Sequence, residues 1–360
     1  MLSLLLLSFF PAVLAGSAAW QPKLEYRKPL PPLAVETSGY AVRNMTAAPR
    51  AQKRWFGMNP GQPYNLWPDN TIKYCFENQA GKTALFNYVL AATQKWTDAG
   101  LHRDVYKYHE EENPGDSCVN SANRATILVI RYIPNEERYS ANIGLPPLDG
   151  NQPQYKGPVM SIGRVADVGN YATIIAHEFG HVWGLAHEHQ DPNFWQAPYS
   201  DRGGSAFGTN FDCQAVTGYT EALARVRAEN PPYEPYLCVR ADVAAYFKFA
   251  ASNLLPDFDA RLKSSWGVVG QSEQNVVWES IMMYGSEAFA IDGQRPTLRG
   301  NSGDFTIREP DPSYADIVAI EELYEDPFNA NHQMPTLHNS PQSPNYAKFT
   351  DQFHKSKCSG

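Results

Sequence analysis

The chain has 360 residues, 43% of them hydrophobic and 19% charged, with 30 Lys/Arg against 38 Asp/Glu and a formal net charge of −8. That is enough apolar sequence to build one large domain or two modest ones, and it excludes a chain disordered throughout. The acidic balance, with no long basic run, disfavours a nucleic-acid binder that relies on phosphate contacts.

The first nineteen residues read MLSLLLLSFFPAVLAGSAA. The apolar run from Leu2 to Phe10 is too short, and too quickly broken by Pro11, to make a good membrane span. It reads as a secretory signal peptide, with cleavage after Ala15 or Ala19, although no Lys or Arg precedes the apolar run. No later stretch reaches 18 apolar residues, so no stable membrane insertion is expected and the product is expected to be secreted and extracellular.

Residues 20–54 read as a propeptide. Five prolines fall between Pro22 and Pro49, and the segment ends at the dibasic pair Lys53-Arg54. Residues 1–54 hold seven Lys/Arg and two Asp/Glu, a net +5; the other 306 residues hold 23 and 36, a net −13. A basic segment ahead of an acidic domain suits a propeptide that docks electrostatically before removal. It also holds the glycosylation sequon Asn44-Met45-Thr46. The segment has no cysteine, and Glu25 and Glu36 are its only carboxylates.

Beyond Trp55 the pattern becomes that of a folded domain. Thr71–Phe76 (TIKYCF) predicts a strand, and Lys82–Ala99 an amphipathic helix with Leu85, Tyr88, Val89, Ala92 and Trp96 near helical spacing. The β-branched run in Ala125–Ile133 suits a buried strand, and Pro158–Val165 is a shorter one. Helices are expected at about Asn170–Leu185, near Glu221–Ala228 and over Asp316–Tyr324. The order is α+β rather than a regular βαβ alternation. Residues 326–360 are polar and aperiodic and read as a tail.

Four of the nine histidines stand between residues 177 and 189, in HEFGHVWGLAHEH. On a helix His177 and His181 share one face, one turn apart. Imidazole is a good zinc ligand at that spacing, and Glu178 lies beside the first ligand. Gly184 can end the helix in a left-handed conformation, so that the chain turns back and brings His187 to the same metal. Three neutral histidines leave a fourth position open for water, the pattern of a catalytic site. By chance the pattern would arise in this chain with a probability on the order of 10⁻⁵.

With these residues the sequence resembles a known family. HEFGHVWGLAHEH is similar to the extended zinc motif of metzincin metalloproteases, and Glu188 directly after the third histidine resembles the astacin family within them. ESIMMYGS, Glu279 to Ser286, looks like the astacin Met-turn, with Met282 and Tyr284 in the matching places. PSYADIVAIEELY, Pro312 to Tyr324, is similar to the helix that closes astacin catalytic domains. The matches are spread over roughly residues 71–325.

The resemblance implies a metzincin-type fold. Its N-terminal lobe would carry a twisted mixed sheet and two long helices. The C-terminal lobe would be irregular and end in a helix, with a zinc cleft between the two. The catalytic domain would run over 55–325. It implies one catalytic Zn²⁺ on His177, His181 and His187, with Glu178 as general base and Tyr284 as the tyrosine that reaches the metal, leaves it on substrate binding and then stabilises the oxyanion. Met282 would be a structural base beneath the metal. Pro158–Val165 would be the edge strand that receives an extended peptide. Glu188 would meet the mature N-terminus, though a plain surface carboxylate is the competing reading. The function implied is a secreted zinc endopeptidase made as a zymogen, with protein or peptide substrates and its own propeptide as partner.

Two rivals share features with this reading. A serralysin-like protease shares the tyrosine, but no glycine-rich calcium repeat is present and Glu188 argues against it. A secreted zinc-containing binding protein would be expected to have lost Glu178 or Tyr284. One departure from the family is length, since 94 residues separate His187 from Met282, which places an insertion around 195–278. Another is the cysteine set. Five cysteines allow two bridges in 15 ways; Cys213 and Cys238 form a credible local pair within the insertion. Cys75, Cys118 and Cys358 stay open, with Cys75–Cys118 one possible pairing.

Overall fold

A computed structural model describes residues 55–59, 65–111, 116–146, 156–164, 171–265, 270–293, 295–303 and 311–324. The expected signal peptide, propeptide, Glu36, sequon and tail with Cys358 lie outside the described residues. The elements in chain order begin with β1 (Phe56–Met58), β2 (Thr71–Phe76), α1 (Gln79–Asp98), β3 (Lys107–Glu110), α2 (Asp116–Val119) and β4 (Leu128–Ile133). They continue with β5 (Tyr139–Ala141), β6 (Val159–Gly163), α3 (Tyr171–Trp183), α4 (Tyr219–Glu229), α5 (Ala241–Tyr246), β7 (Leu262–Ser264) and α6 (Tyr314–Tyr324). The fold is α+β, as the element order predicts, and its main sheet is mixed, as the resemblance implies.

Five strands form the main sheet in the order β3-β2-β4-β6-β5. The first four run parallel, and β5 closes the edge antiparallel to β6. This corrects one expectation. The strand at Pro158–Val165 is β6, which is paired on both sides, by β4 and by β5. The terminal strand on that side is instead Tyr139–Ala141, a three-residue strand, mostly buried, that precedes β6 in the chain but lies outside it.

The long helix α1 begins three residues earlier than the sequence pattern suggests. Asn78 caps it, its Oδ1 accepting from Gly81 N at 2.8 Å. That satisfies one of the free N–H groups every helix start carries. Leu85, Val89, Ala92 and Trp96 form its buried face, at helical spacing. Trp96 reaches α3 and donates its Nε1–H to Ala176 O at 2.9 Å. Tyr88, half-buried, packs its ring 4.9 Å from Tyr171.

Helix α3 is buried nearly all round, from Thr173 through Trp183. A helix with no solvent face belongs in the centre of a fold. Its carbonyls and indoles are tied to their neighbours. Trp67 Nε1 donates to Val182 O at 2.7 Å, and Trp183 Nε1 donates to the Tyr108 hydroxyl of β3 at 2.7 Å.

A second sheet pairs β1 with β7 antiparallel, Phe56 opposite Ser264. The free edge of β1 is also occupied, because Gly57 bridges to Leu185, Phe56 O accepts from Ala186 N at 2.9 Å, and Met58 N donates to Gly184 O at 2.8 Å. Two disulfides, Cys75–Cys118 and Cys213–Cys238, are present. The first sits in a small apolar cluster with Ile127 and Val129, the second across α4. No helix among the described residues is long and apolar enough to cross a membrane. Two units are distinguished, Met1–Ile320 and Glu321–Gly360; the sheets, α1 to α5 and the histidine group belong to the first.

Candidate active site

His177 and His181 sit one turn apart on α3, as their spacing requires. The helix then ends at Gly184, whose φ of +115° is a left-handed conformation that favours glycine. Leu185 N closes the turn on Gly180 O at 2.9 Å. The chain reverses and delivers His187. Ligand atoms of His177, His181 and His187 then lie within 4.8 Å of one another, and all three residues are buried.

The outer nitrogens of the three rings decide what the inner ones can do. His177 Nδ1 lies 2.7 Å from Ile281 O, and His181 Nδ1 lies 2.8 Å from Leu185 O. A backbone carbonyl only accepts, so each ring carries its proton on Nδ1 and a lone pair on Nε2. His187 Nδ1 lies 2.8 Å from Gln190 Oε1 and obeys the same rule. Yet His187 Nε2 stands 3.1 Å from His181 Nε2 and 3.3 Å from His177 Nε2. With no proton between them these are not hydrogen bonds but converging lone pairs, which a cation reconciles. Ligands about 2.0–2.1 Å from a tetrahedral zinc stand about 3.3 Å apart, so the donor set fits one Zn²⁺.

Burial keeps the rings neutral. Desolvation lowers the His181 pKa to about 4, with the Leu185 carbonyl opposing. It also pushes His187 well below its ordinary value, helped by His181 and His189 and opposed by Gln190. Neutral imidazole is the form that binds metal.

Glu178 is buried at 1% exposure, directly after the first histidine on α3. Tyr284 is 3% exposed, with its ring centroid 4.3 Å from that of His187 and 6.3 Å from that of His177. Met282 is also buried. Its Sδ occupies the space where a Cβ on Gly180 would fall, so only glycine lets the turn pack against the helix between the two histidines. The turn is fixed from the other side by Asp316 of α6. Asp316 accepts from Ser280 Oγ at 2.6 Å, Ile281 N at 3.0 Å and Ser313 N at 2.7 Å. Burial raises its pKa, against those hydrogen bonds. Through Ile281 the same turn reaches His177, and through Met282 O it accepts from Glu188 N at 3.2 Å.

Glu188 is 5% exposed, and its Oε1 accepts from Val277 N at 3.4 Å. The surface-carboxylate reading is therefore wrong. It lines a small cavity together with Trp55, Phe56 and Met282. Trp55 N donates to Ser265 Oγ at 2.9 Å.

Several contributors carry no signal in the sequence alone. Gly180, Asp316, Gln190 and the carbonyls of Ile281 and Leu185 matter through contacts made by folding. His189 belongs to the histidine count but has no metal-ligand position. It is fully buried, its Nε2 is 2.9 Å from Asn253 O, and its ring stacks on His187 and packs 4.6 Å from Tyr284.

Fold and site together define an α+β protein with a buried three-histidine metal centre. A scan against protein-family models finds no match, and a search of curated proteins finds none. Among solved structures the chain is similar to myroilysin at 16% identity and a TM-score of 0.38, over 72% of this chain and 95% of that one. It is also similar to high choriolytic enzyme 1, a hatching enzyme zinc-protease from the medaka fish Oryzias latipes, at 17% identity and a TM-score of 0.40, over 72% and 93%. A second myroilysin structure matches at 15% identity and a TM-score of 0.37, over 79% and 99%.

Proposed function

We propose that the protein is a secreted zinc-dependent endopeptidase of astacin type, made as a zymogen, that hydrolyses peptide bonds of proteins. The observation that carries this reading is the convergence of three Nε2 lone pairs beside a buried glutamate. His177, His181 and His187 hold the metal. When bound, zinc supplies a Lewis acid that lowers the pKa of water to about 7 and polarises a carbonyl. Glu178 takes the proton of the attacking water and returns it to the leaving amine. Tyr284 donates its phenolic O–H to the oxygen on which negative charge develops. Met282 and Gly180 keep the turn and helix in register beneath the ligands. Extended substrate adds to the edge strand at Tyr139–Ala141, where backbone pairing gives affinity with little sequence preference.

Zymogen processing is supported by the surroundings of Trp55, the residue next after Lys53-Arg54. Trp55 is buried, and Glu188 lines the same small cavity. Cleavage after Arg54 would start the mature chain at Trp55, whose nitrogen meets Ser265 Oγ beside the cavity that Glu188 lines. Residues 1–19 would be removed on export and 20–54 on activation, leaving a catalytic domain over 55–325 and a tail over 326–360.

The decisive experiment compares wild type with E178A by metal analysis and a peptide-library digest. Stoichiometric zinc in both, with proteolysis only in wild type, is expected. Equal cleavage by both refutes the assigned role. Zinc without cleavage after removal of residues 20–54 would instead mark a zinc-containing binding protein.

A further inference from the structure

The three metal-site histidines are not supported alike. His177 and His181 each direct Nδ1 to a backbone carbonyl, from Ile281 and Leu185. His187 alone depends on a side chain, the amide of Gln190 at 2.8 Å. An amide can present either its oxygen or its nitrogen to an imidazole, and the two choices demand opposite tautomers. Here the choice is made from outside. Gln190 Nε2 donates to Leu255 O at 3.0 Å and to Ser252 O at 3.2 Å. Two carbonyls can be met only by the NH₂ end, so Oε1 must face His187. Gln190 is 9% exposed, which leaves little room for water to replace it.

Ser252 and Leu255 belong to the 195–278 segment, and that segment grips the neighbourhood at further points. Asp257 N donates to Gln190 O at 2.9 Å, and Asn253 O meets His189 Nε2. Asp191 is tied to Ser264 Oγ at 2.5 Å. We propose that Gln190 is a positioning residue for the third metal ligand, and that through it the insertion sets the tautomer of His187. The inference rests on the metal-site reading above, and it gives the insertion a role in metal retention. A residue holding the outer nitrogen of a ligating histidine changes metal affinity by about 10–100-fold when lost.

The test uses the full chain as wild type, Q190L and Q190E. Zinc affinity is read by chelator competition, ligand geometry by the visible spectrum of the cobalt form, and stability by the urea midpoint. Leucine removes both ends of the amide. Glutamate keeps an oxygen for His187 and loses the donors to Ser252 and Leu255. Both variants are expected to lower the urea midpoint. Only Q190L is expected to lose about 10–100-fold in zinc affinity and to shift the cobalt spectrum, with Q190E within about threefold of wild type. Zinc affinity of Q190L equal to wild type overturns the proposal. So does an equal loss in both variants that tracks their midpoints, since that marks a purely structural tie. Should Q190L not fold, nitrogen-15 NMR of histidine-labelled, metal-free wild type decides. A His187 ring protonated at Nδ1 supports the proposal, and one protonated at Nε2 overturns it. Wild type that binds no zinc would instead sink the metal-site reading while leaving the tautomer measurement to judge Gln190.

Discussion

At the scale of single residues, burial favours the neutral, metal-binding form of the site's histidines. His181 and His187 have depressed pKa values, so protons compete with a metal for them only at low pH. Affinity is thus fully present above the ordinary histidine range and is lost as pH falls through the folded pKa, near 4 for His181. A histidine titrating at 6.5 would cost about 30-fold in affinity at pH 5, so two would cost about 1000-fold. Zinc affinity measured by chelator competition should therefore fall by less than about 30-fold between pH 7 and pH 5. A loss near 1000-fold would show that both rings titrate normally. Tyr284→Phe is expected to lower kcat by about 10²–10³, because it removes one donor to a developing oxyanion; activity equal to wild type in a peptide digest would remove Tyr284 from the proposed mechanism. The ligands are legible in the sequence because their geometry is local: four residues along a helix, then one turn at Gly184. Gln190 is not, since its importance lies in which carbonyls face its far end.

Among the elements, α3 and the turn at Ser280–Met283 meet in a close contact at Gly180 and Met282. Gly180→Ala would drive a methyl group into Met282 Sδ and is expected to destabilise by about 1–3 kcal/mol. Met282→Ala should cost about 2–5 kcal/mol by leaving a cavity. The double variant should cost less than the two singles combined, since each relieves the other; strict additivity in urea unfolding would contradict the contact. The longer elements can be read from pattern alone, as α1 and β2 show. The short ones cannot. β1, β5 and β7 have three residues each, too few for a period to register. β5 also shows why strand order resists a linear reading: it comes before β6 in the chain but lies outside it in the sheet, so the edge role passes from Pro158–Val165 to Tyr139–Ala141.

For the molecule as a whole, the segment 195–278 reads in the sequence as an addition to a smaller plan. In the fold its residues Ser252, Asn253, Leu255 and Asp257 bond to His189 and Gln190, next to the third histidine. Thr217 donates to Phe289 O, Asp212 N to Thr297 O, and Ile291 N to Ala215 O, so the insertion is woven into the stretch after Tyr284. Phe289 in turn packs its ring 5.7 Å from Tyr284. Replacing Cys213 and Cys238 by alanine opens a loop with a separation of 25 residues and is expected to cost about 3 kcal/mol. Because the same segment holds Gln190, zinc affinity should weaken along with the urea midpoint. A variant that loses stability and keeps full zinc affinity would show the two to be uncoupled.

β1 has both of its edges occupied, one by β7 and the other by Gly184–Ala186. The new end of a chain cut after Arg54 would thus be a structural member clamped beside the turn that delivers His187. Trimming by four residues would remove the acceptor for Ala186 N and the donor to Gly184 O together. The molecule should then tolerate little raggedness at its front end. Forms starting at Trp55 should hold zinc, and forms starting at Asn59 should leak it. Under the zymogen reading proposed above, ragged trimming past Gly57 would spoil the protein and a cut at a defined bond would not.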